Sequence, residues 1–330
     1  MTPYIIAELS ANHNGSLERA LDLVDLAAAA GCNAIKLQTF TPDTITLDFP
    51  FHADGLWRGR TLYSLYQQAY TPWEWHKPIF DLAHDKGLDC ISTPFSLEAV
   101  DFLEPLVDAY KVASFENNWL QLIGAIGRKG KPVYISLGMA TQDDIIAAWR
   151  EVVVQSKGEI KPTLLHCISA YPAKVEDMRL STLTDMRRWM PTVKLGLSDH
   201  TLGHTAAVIA TALGAEVIEK HFCLRRADGG PDAEFSLEPA EMAELVRAVR
   251  EVGAALGTPA YGLREGENAY YRRSIIATRD IEPNEEFSWA NLAVLRPNVG
   301  LPPGAWDEVV GRRACRHIAR GEGIQWRDLV

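Results

Sequence analysis

The chain has 330 residues, of which 47% are hydrophobic and 23% charged, the balance of an ordinary globular protein rather than a disordered or fibrous one. Its formal net charge of −10 argues against nucleic acid or an anionic membrane as a partner. No apolar run is long enough to span a bilayer, and the N-terminus enters a strand-like run without a basic region, so a cytoplasmic protein is expected.

Short β-rich runs alternate with helical patterns up to about residue 255, the signature of a parallel sheet with crossover helices. The first strand is expected at 4–8, followed by a helix over 16–30 that Ser16 caps. A second strand at 34–38 leads into a long connection, 39–87, in which only 73–86 has a helical pattern. The aromatic stretches of that connection, 56–63 and 69–76, suit a satellite core and a substrate-facing lid equally well.

Further strands are expected at 88–92, 109–113, 132–137, 163–168, 193–197 and 216–220, with helices at 98–103, 202–213 and 240–256. Eight alternations fit a closed (β/α)8 TIM barrel, although an open doubly wound sheet has a similar local pattern. The expected organisation is a barrel domain over 1–260, a linker over 261–272 and a small β-rich domain over 273–330. Within that small domain, 277–292 aligns without gaps on 314–329, with matching Ala, Arg, Ile, Glu, Trp and Leu positions. Two related β-turn-β halves follow from the repeat, and so small a unit is expected to dock on something.

The placement of polar residues favours the barrel. Glu8, Lys36, Gln38, Thr93, Lys111, Ser114, Glu116, Ser136, His166, Tyr171, Ser198, His200, Glu219 and His221 all fall at or just beyond the C-terminal ends of expected strands. Barrel enzymes build their active sites at that face. Polar residues commonly begin where strands end, but a lysine inside the apolar run Ala34-Ile35-Lys36-Leu37-Gln38 is costly to bury without a use.

His200 and His221 each close an apolar run, and a parallel βαβ unit would set both imidazoles at one sheet edge. A lone histidine is usually structural, whereas a pair at matched positions on neighbouring strands suits a metal ion. The five cysteines, Cys32, Cys90, Cys167, Cys223 and Cys315, lack C-x-x-C spacing and read as packing residues. Lys36 and Lys111, with Ser114, Ser136 and Ser198, could hold a phosphate and a carboxylate, and Glu116 stands where a base could act. Two alternatives remain open: Lys111 as a Schiff-base nucleophile, and a non-enzymatic sugar-binding regulatory protein.

The segments Ile6-Ala7-Glu8-Leu9-Ser10-Ala11-Asn12-His13-Asn14-Gly15, Lys36-Leu37-Gln38-Thr39, Lys111-Val112-Ala113-Ser114-Phe115-Glu116, Leu197-Ser198-Asp199-His200-Thr201 and Glu219-Lys220-His221-Phe222 resemble the motifs of the sialic acid synthase family. Residues 270–330 are similar to its C-terminal antifreeze-like (SAF) domain. The resemblance spans essentially the whole chain. Within the family, Thr61-Leu62-Tyr63-Ser64-Leu65-Tyr66, Tyr70-Thr71-Pro72-Trp73-Glu74-Trp75-His76, Gly229-Gly230-Pro231-Asp232 and Phe235-Ser236-Leu237-Glu238-Pro239 look most like the pseudaminic acid branch. Ser169 stands where the sialic acid branch commonly has Asn.

The resemblance implies a transferase that condenses phosphoenolpyruvate with an open-chain acetamido sugar, giving a nine-carbon 2-keto acid and phosphate. For the pseudaminic acid branch the sugar is 2,4-diacetamido-2,4,6-trideoxy-L-altrose; a neuraminate or legionaminate synthase would use another acetamido sugar. By position, His200 and His221 would hold Mn²⁺ or Mg²⁺, and Glu116 would activate water. Lys111, Ser114, Ser136 and Ser198 would contact the phosphate, and Lys36 and Thr93 the carboxylate. Glu8, Gln38, Tyr171, Asp232 and Arg296 would contact the sugar, with Arg296 reaching a neighbouring subunit in a domain-swapped homodimer.

Overall fold

Eight strands close in chain order into one parallel barrel: β1 (Tyr4–Glu8), β2 (Ala34–Thr39), β3 (Asp89–Pro94), β4 (Ala109–Val112), β5 (Val133–Ser136), β6 (Thr163–Cys167), β7 (Leu195–Asp199) and β8 (Val217–His221). The computed structural model describes residues 2–261 and 266–330. The chain divides into two compact units, Met1–Gly257 and Thr258–Val330. Part of the linker expected over 261–272, residues 262–265, lies outside the described residues.

Period-two alternation along each strand sorts the barrel's side chains. Ile5, Ala7, Ile35, Leu37, Tyr110, Val112, Ile135, Leu164, Leu195, Leu197 and Ile218 pack with the helices in one large apolar cluster. Ile6, Ala34, Ile91, Ala109, Leu165 and Val217, of the opposite parity, form a separate cluster filling the barrel interior. The interior leaves no room at Gly196, where an added Cβ would stand 2.6 Å from Leu165 Cδ2 and 2.5 Å from the Val217 carbonyl oxygen. This plug closes the barrel below its C-terminal mouth, so the next inward residue on each strand becomes the floor of a pocket.

Local signals set the helices. The hydroxyl of Ser16 accepts from the Arg19 amide at 3.3 Å and starts the helix Leu17–Ala30, which Gly31 ends with a φ of 85°. The long connection between β2 and β3 holds more helix than its pattern suggests. A second helix, Leu62–Ala69, precedes Trp73–Asp85; Thr61 caps it through the Ser64 amide and Leu65 is its buried anchor. With one buried face position its apolar period is too weak to be legible. The connecting helix expected over 202–213 spans Thr205–Ala212, and the last two strands run to Asp199 and His221 because each pairs with a neighbour to that point.

In the second unit, Ser274–Ala277 and Leu292–Leu295 form an antiparallel pair, β9 and β10. The internal repeat is visible as a pseudo-twofold: Ile281 and Ile318, at matching repeat positions, exchange backbone hydrogen bonds of 2.9 Å in both directions. Arg279 pairs with Glu285 and Arg316 with Glu322 at the corresponding places. The second half is held by isolated bridges such as Ala314 to Leu329 rather than by a regular strand pair. The buried core of this unit comes from both halves, including Ile281, Phe287, Ile318 and Ile324.

Candidate active site

One residue beyond the apolar plug on the inward parity, the strands present Glu8, Lys36, Thr93, Lys111, Ser136, Cys167, Ser198 and Glu219, all buried. These side chains form a continuous polar web. Lys36 pairs with Glu8, lies 3.8 Å from Glu219 Oε1 and donates to Thr93 Oγ1 at 3.3 Å. Lys111 donates to Ser136 Oγ at 2.6 Å and lies 3.6 Å from the same Glu219 oxygen, to which Ser198 Oγ donates at 3.0 Å. Gln38 extends the web outward, donating to Glu8 Oε1 at 3.3 Å and to Ser10 Oγ at 3.0 Å.

Two lysines thus face two carboxylates in a water-poor chamber, which is how buried charge is made tolerable. Burial opposes ionisation of Glu219, yet Lys111 and Lys36 hold its carboxyl below the usual range. Burial likewise opposes the charge of Lys36, but Glu219 and Glu8 keep its ammonium protonated. Lys111 is lowered, by burial and by its like-charged neighbour Lys36. An incoming anion would meet donors already oriented and would displace carboxylate contacts rather than water.

His200 and His221 stand above this layer with ring centroids 5.4 Å apart. His200 Nδ1 bonds the Ile168 carbonyl at 3.0 Å, which leaves its Nε2 for another partner. His221 Nδ1 is buried with no hydrogen-bond partner. Burial and the nearby His200, Lys36, Lys220 and Lys111 hold the His221 ring neutral, well below the ordinary histidine range. An orphaned ring nitrogen on a neutral imidazole beside a second, oriented imidazole is a donor pair suited to a divalent ion.

Loops at the mouth complete the set. Tyr171 packs on His200 at 4.5 Å and on Phe235 at 5.2 Å between centroids. Asp232 accepts from Ser10 Oγ and lies 3.4 Å from the Ala11 amide, so the loop after β8 is tied to the loop after β1. Ser114 Oγ accepts from the Gly138 amide at 3.2 Å, and a Cβ on Gly138 would fall 2.7 Å from Ser114 Oγ and 2.1 Å from Ser169 Oγ, so only glycine fits that approach. Glu116, in a 3₁₀ turn after β4, has a buried Oε2 with no partner, and burial pushes its carboxyl up to about 7 against the pull of Lys111. Arg296 belongs to the second unit, where it lines an open depression with Arg272 and Arg273.

Of the fourteen residues to which the resemblance gives a role, the barrel unit therefore gathers all but Arg296 around its C-terminal mouth, Glu116 and Ser114 on the turn after β4 and the rest on strands β1–β8 or their following loops. Three features differ from the sequence reading. Glu219, noted only as a strand-end residue, is the hub between both lysines; its position two before His221 on the inward parity was the available signal. His166 points outward, its Nε2 donating to the Met178 carbonyl oxygen at 2.6 Å, and takes no part. Cys167, read as packing, faces inward with its Sγ 3.8 Å from His200 Nδ1. Among the described residues a second ligand-type cluster, His84, Cys90 and Asp108, lies at the opposite end of the barrel, where Asp108 Oδ2 is already used by the Cys90 amide at 2.7 Å and His84 at 2.8 Å.

A (β/α)8 barrel with this density of ionisable groups at its C-terminal mouth is the architecture of a barrel enzyme. The chain belongs to the NeuB family, whose family model matches residues 23–261, while residues 272–330 match the SAF domain. It is 42% identical to the pseudaminic acid synthase of Campylobacter jejuni, over 99% of this chain and 96% of that protein. It is 32% identical to the N,N'-diacetyllegionaminic acid synthase of Legionella pneumophila, over 100% of this chain and 95% of that protein. Among solved structures, the N-acetylneuraminic acid synthetase of Leptospira borgpetersenii in complex with citrate matches 81% of this chain and 90% of its own, with a TM-score of 0.73 and 29% identity.

Proposed function

We propose that this chain condenses phosphoenolpyruvate with 2,4-diacetamido-2,4,6-trideoxy-L-altrose and water, yielding pseudaminate and phosphate. The observation that carries the choice of sugar is the gap between 42% identity to a pseudaminic acid synthase and 32% to a legionaminic acid synthase, each over nearly the full chain. The chemistry rests on the layer of Lys36, Thr93, Lys111, Ser136, Ser198 and Glu219 under the His200–His221 pair.

Lys111, Ser114, Ser136 and Ser198 bind the phosphate, and Lys36 with Thr93 binds the carboxylate, by charge-assisted hydrogen bonds in a site closed to bulk water. Glu8, Gln38, Tyr171 and Asp232 orient the sugar, and Arg296 of the partner subunit completes its enclosure in a domain-swapped homodimer. His200 and His221 would hold a divalent ion, Mn²⁺ or Mg²⁺, which would supply Lewis acidity for activating the aldehyde. The enol carbon of phosphoenolpyruvate forms the new bond to the aldehyde carbon. Glu116 takes a proton at its buried Oε2 from the water that adds to the electron-poor enol-ether carbon, and phosphate leaves with the bridging oxygen. The cytoplasm is the compartment this reading proposes for the reaction. Among the described residues no helix is long and apolar enough to cross a membrane.

The test is phosphate release from phosphoenolpyruvate with the diacetamido altrose, N-acetylmannosamine and the diacetamido mannose in parallel, with and without chelator. Turnover is expected with the first sugar, falling to background in excess chelator and returning with Mn²⁺ or Mg²⁺. Preference for either of the others reassigns the sugar. Full turnover in chelator removes the ion and brings back Lys111 as a Schiff-base nucleophile.

A further inference from the structure

The aromatic segment after β2 is tied to the barrel mouth at one point. Trp57 Nε1 donates to the Pro231 carbonyl at 2.8 Å, and the Trp57 ring packs on Tyr171 at 5.4 Å between centroids. Tyr171 in turn packs on His200, and Pro231 precedes Asp232. Trp57 therefore touches Tyr171 and the residue before Asp232, two of the positions proposed to hold the sugar, though it lies more than a hundred residues from either in sequence.

Between the two joined segments is a cleft of about 280 Å³ lined by Leu56, Trp57, Arg58, Arg60, Pro231 and Glu234. It falls short of the roughly 300 Å³ at which whole-ligand pockets begin, and so suits one end of a small molecule. Its polar equipment is unequal. Arg58 is held by Asp54 at 2.8 Å, and Arg60 spends one donor on Gln68. Glu234 has no hydrogen bond or ion pair among the described residues. The cleft thus offers one free carboxylate, a guanidinium with donors to spare, and an apolar wall of Leu56 and Trp57.

An acylamino group has matching needs: an N–H to donate, a carbonyl to accept and a methyl to bury. We infer that this cleft is the subsite for the acylamino group remote from the aldehyde, with Glu234 accepting its N–H, Arg60 donating to its carbonyl and Trp57 covering its methyl. Trp57 is then a specificity-determining residue that also positions Tyr171 and the Asp232 loop. The inference rests on the reaction proposed above.

The experiment measures kcat/KM for the diacetamido sugar and for its analogue with a hydroxyl in place of the remote acylamino group, in wild type and in Trp57→Phe, Trp57→Ala, Arg60→Ala and Glu234→Ala. Wild type should prefer the acylated sugar, and loss of either polar partner should cut that preference by about tenfold or more, the size of one hydrogen bond to a charged group. Trp57→Phe keeps a wall but loses the donor to Pro231, so it should lie between wild type and Trp57→Ala. KM for phosphoenolpyruvate should not move. Unchanged preference in Glu234→Ala and Arg60→Ala, whose side chains are exposed and whose folding is not in question, overturns the subsite. Equal losses for both sugars and for phosphoenolpyruvate in Trp57→Ala would reduce Trp57 to a structural strut. A wild-type enzyme inactive on every acylamino sugar overturns the underlying reaction as well.

Discussion

Lys111 Nζ and Glu219 Oε1 stand 3.6 Å apart inside the barrel, one from β4 and the other from β8, with both side chains almost wholly withdrawn from solvent. Neither is a neighbour of the other in the sheet; they meet only because the barrel is closed and both point inward. Glu219 thereby favours the charged form of both lysines, against the burial that opposes it, where an anion is proposed to bind.

Glu219→Gln preserves the hydrogen bond from Ser198 in shape but removes the charge that compensates Lys36 and Lys111. Leaving buried charge uncompensated costs about 3–5 kcal/mol, so the variant should melt well below wild type. Inorganic phosphate should then raise its Tm by more than it raises the wild-type Tm, because the anion supplies the missing charge. Equal phosphate shifts in the two proteins would remove Glu219 from the anion site.

The pH dependence of kcat should report on Glu116, the proposed base. Its carboxyl is raised to about 7 by burial, so the basic form dominates only above that pH and turnover should fall about tenfold per unit below it. Glu116→Gln should bind both substrates, lose roughly a hundredfold or more in kcat, and show no such acid limb. An acid limb that persists in the variant belongs to another group.

Lys220 and Asp199 point outward from the same strand ends and pair at 2.8 Å with both side chains at 0% exposure. Asp199 also accepts from the Thr201 amide at 2.8 Å, fixing the turn just after His200. Lys220→Met should destabilise by about 3–5 kcal/mol, and Lys220→Met combined with Asp199→Asn should recover part of that loss. Thermal unfolding of the two variants against wild type checks the order.

Arg296 in the SAF domain and Glu116 in the barrel are proposed to serve one site across two subunits. Each single alanine variant should be nearly inactive, and a mixture after subunit exchange should regain about a quarter of wild-type activity, since one hybrid site in each mixed dimer is intact. Mixtures that remain inactive would place the whole site in one chain.

Much of this was legible in the residues. Alternation between short β runs and helical patterns carried the barrel, because inward and outward faces of every strand are both buried and the crossover helices supply the period change. The catalytic face followed from charged residues interrupting apolar runs, as at Lys36 and Lys111, since unpaired charge is not kept in a core without use. The repeat over 277–292 and 314–329 pointed to two related halves, and Ile281 and Ile318 at matching positions exchange backbone hydrogen bonds.

Other features depend on distances that no local pattern encodes. Consecutive residues Glu219, Lys220 and His221 look alike as strand-end polar groups, yet pleating sends Lys220 to Asp199 outside and its neighbours into the chamber. The helix Leu62–Ala69 exists because Leu65 finds a buried partner surface, not because its own period demands it. Ser10 and Asp232 meet across 222 residues, and Trp57 reaches Pro231 across 174, through closure of β1 against β8. Sequence by itself determined which residue types lie at the mouth, since strand period is a local property; only the tertiary structure decided which of them pair, because charge compensation and ring contacts are set by the closed barrel.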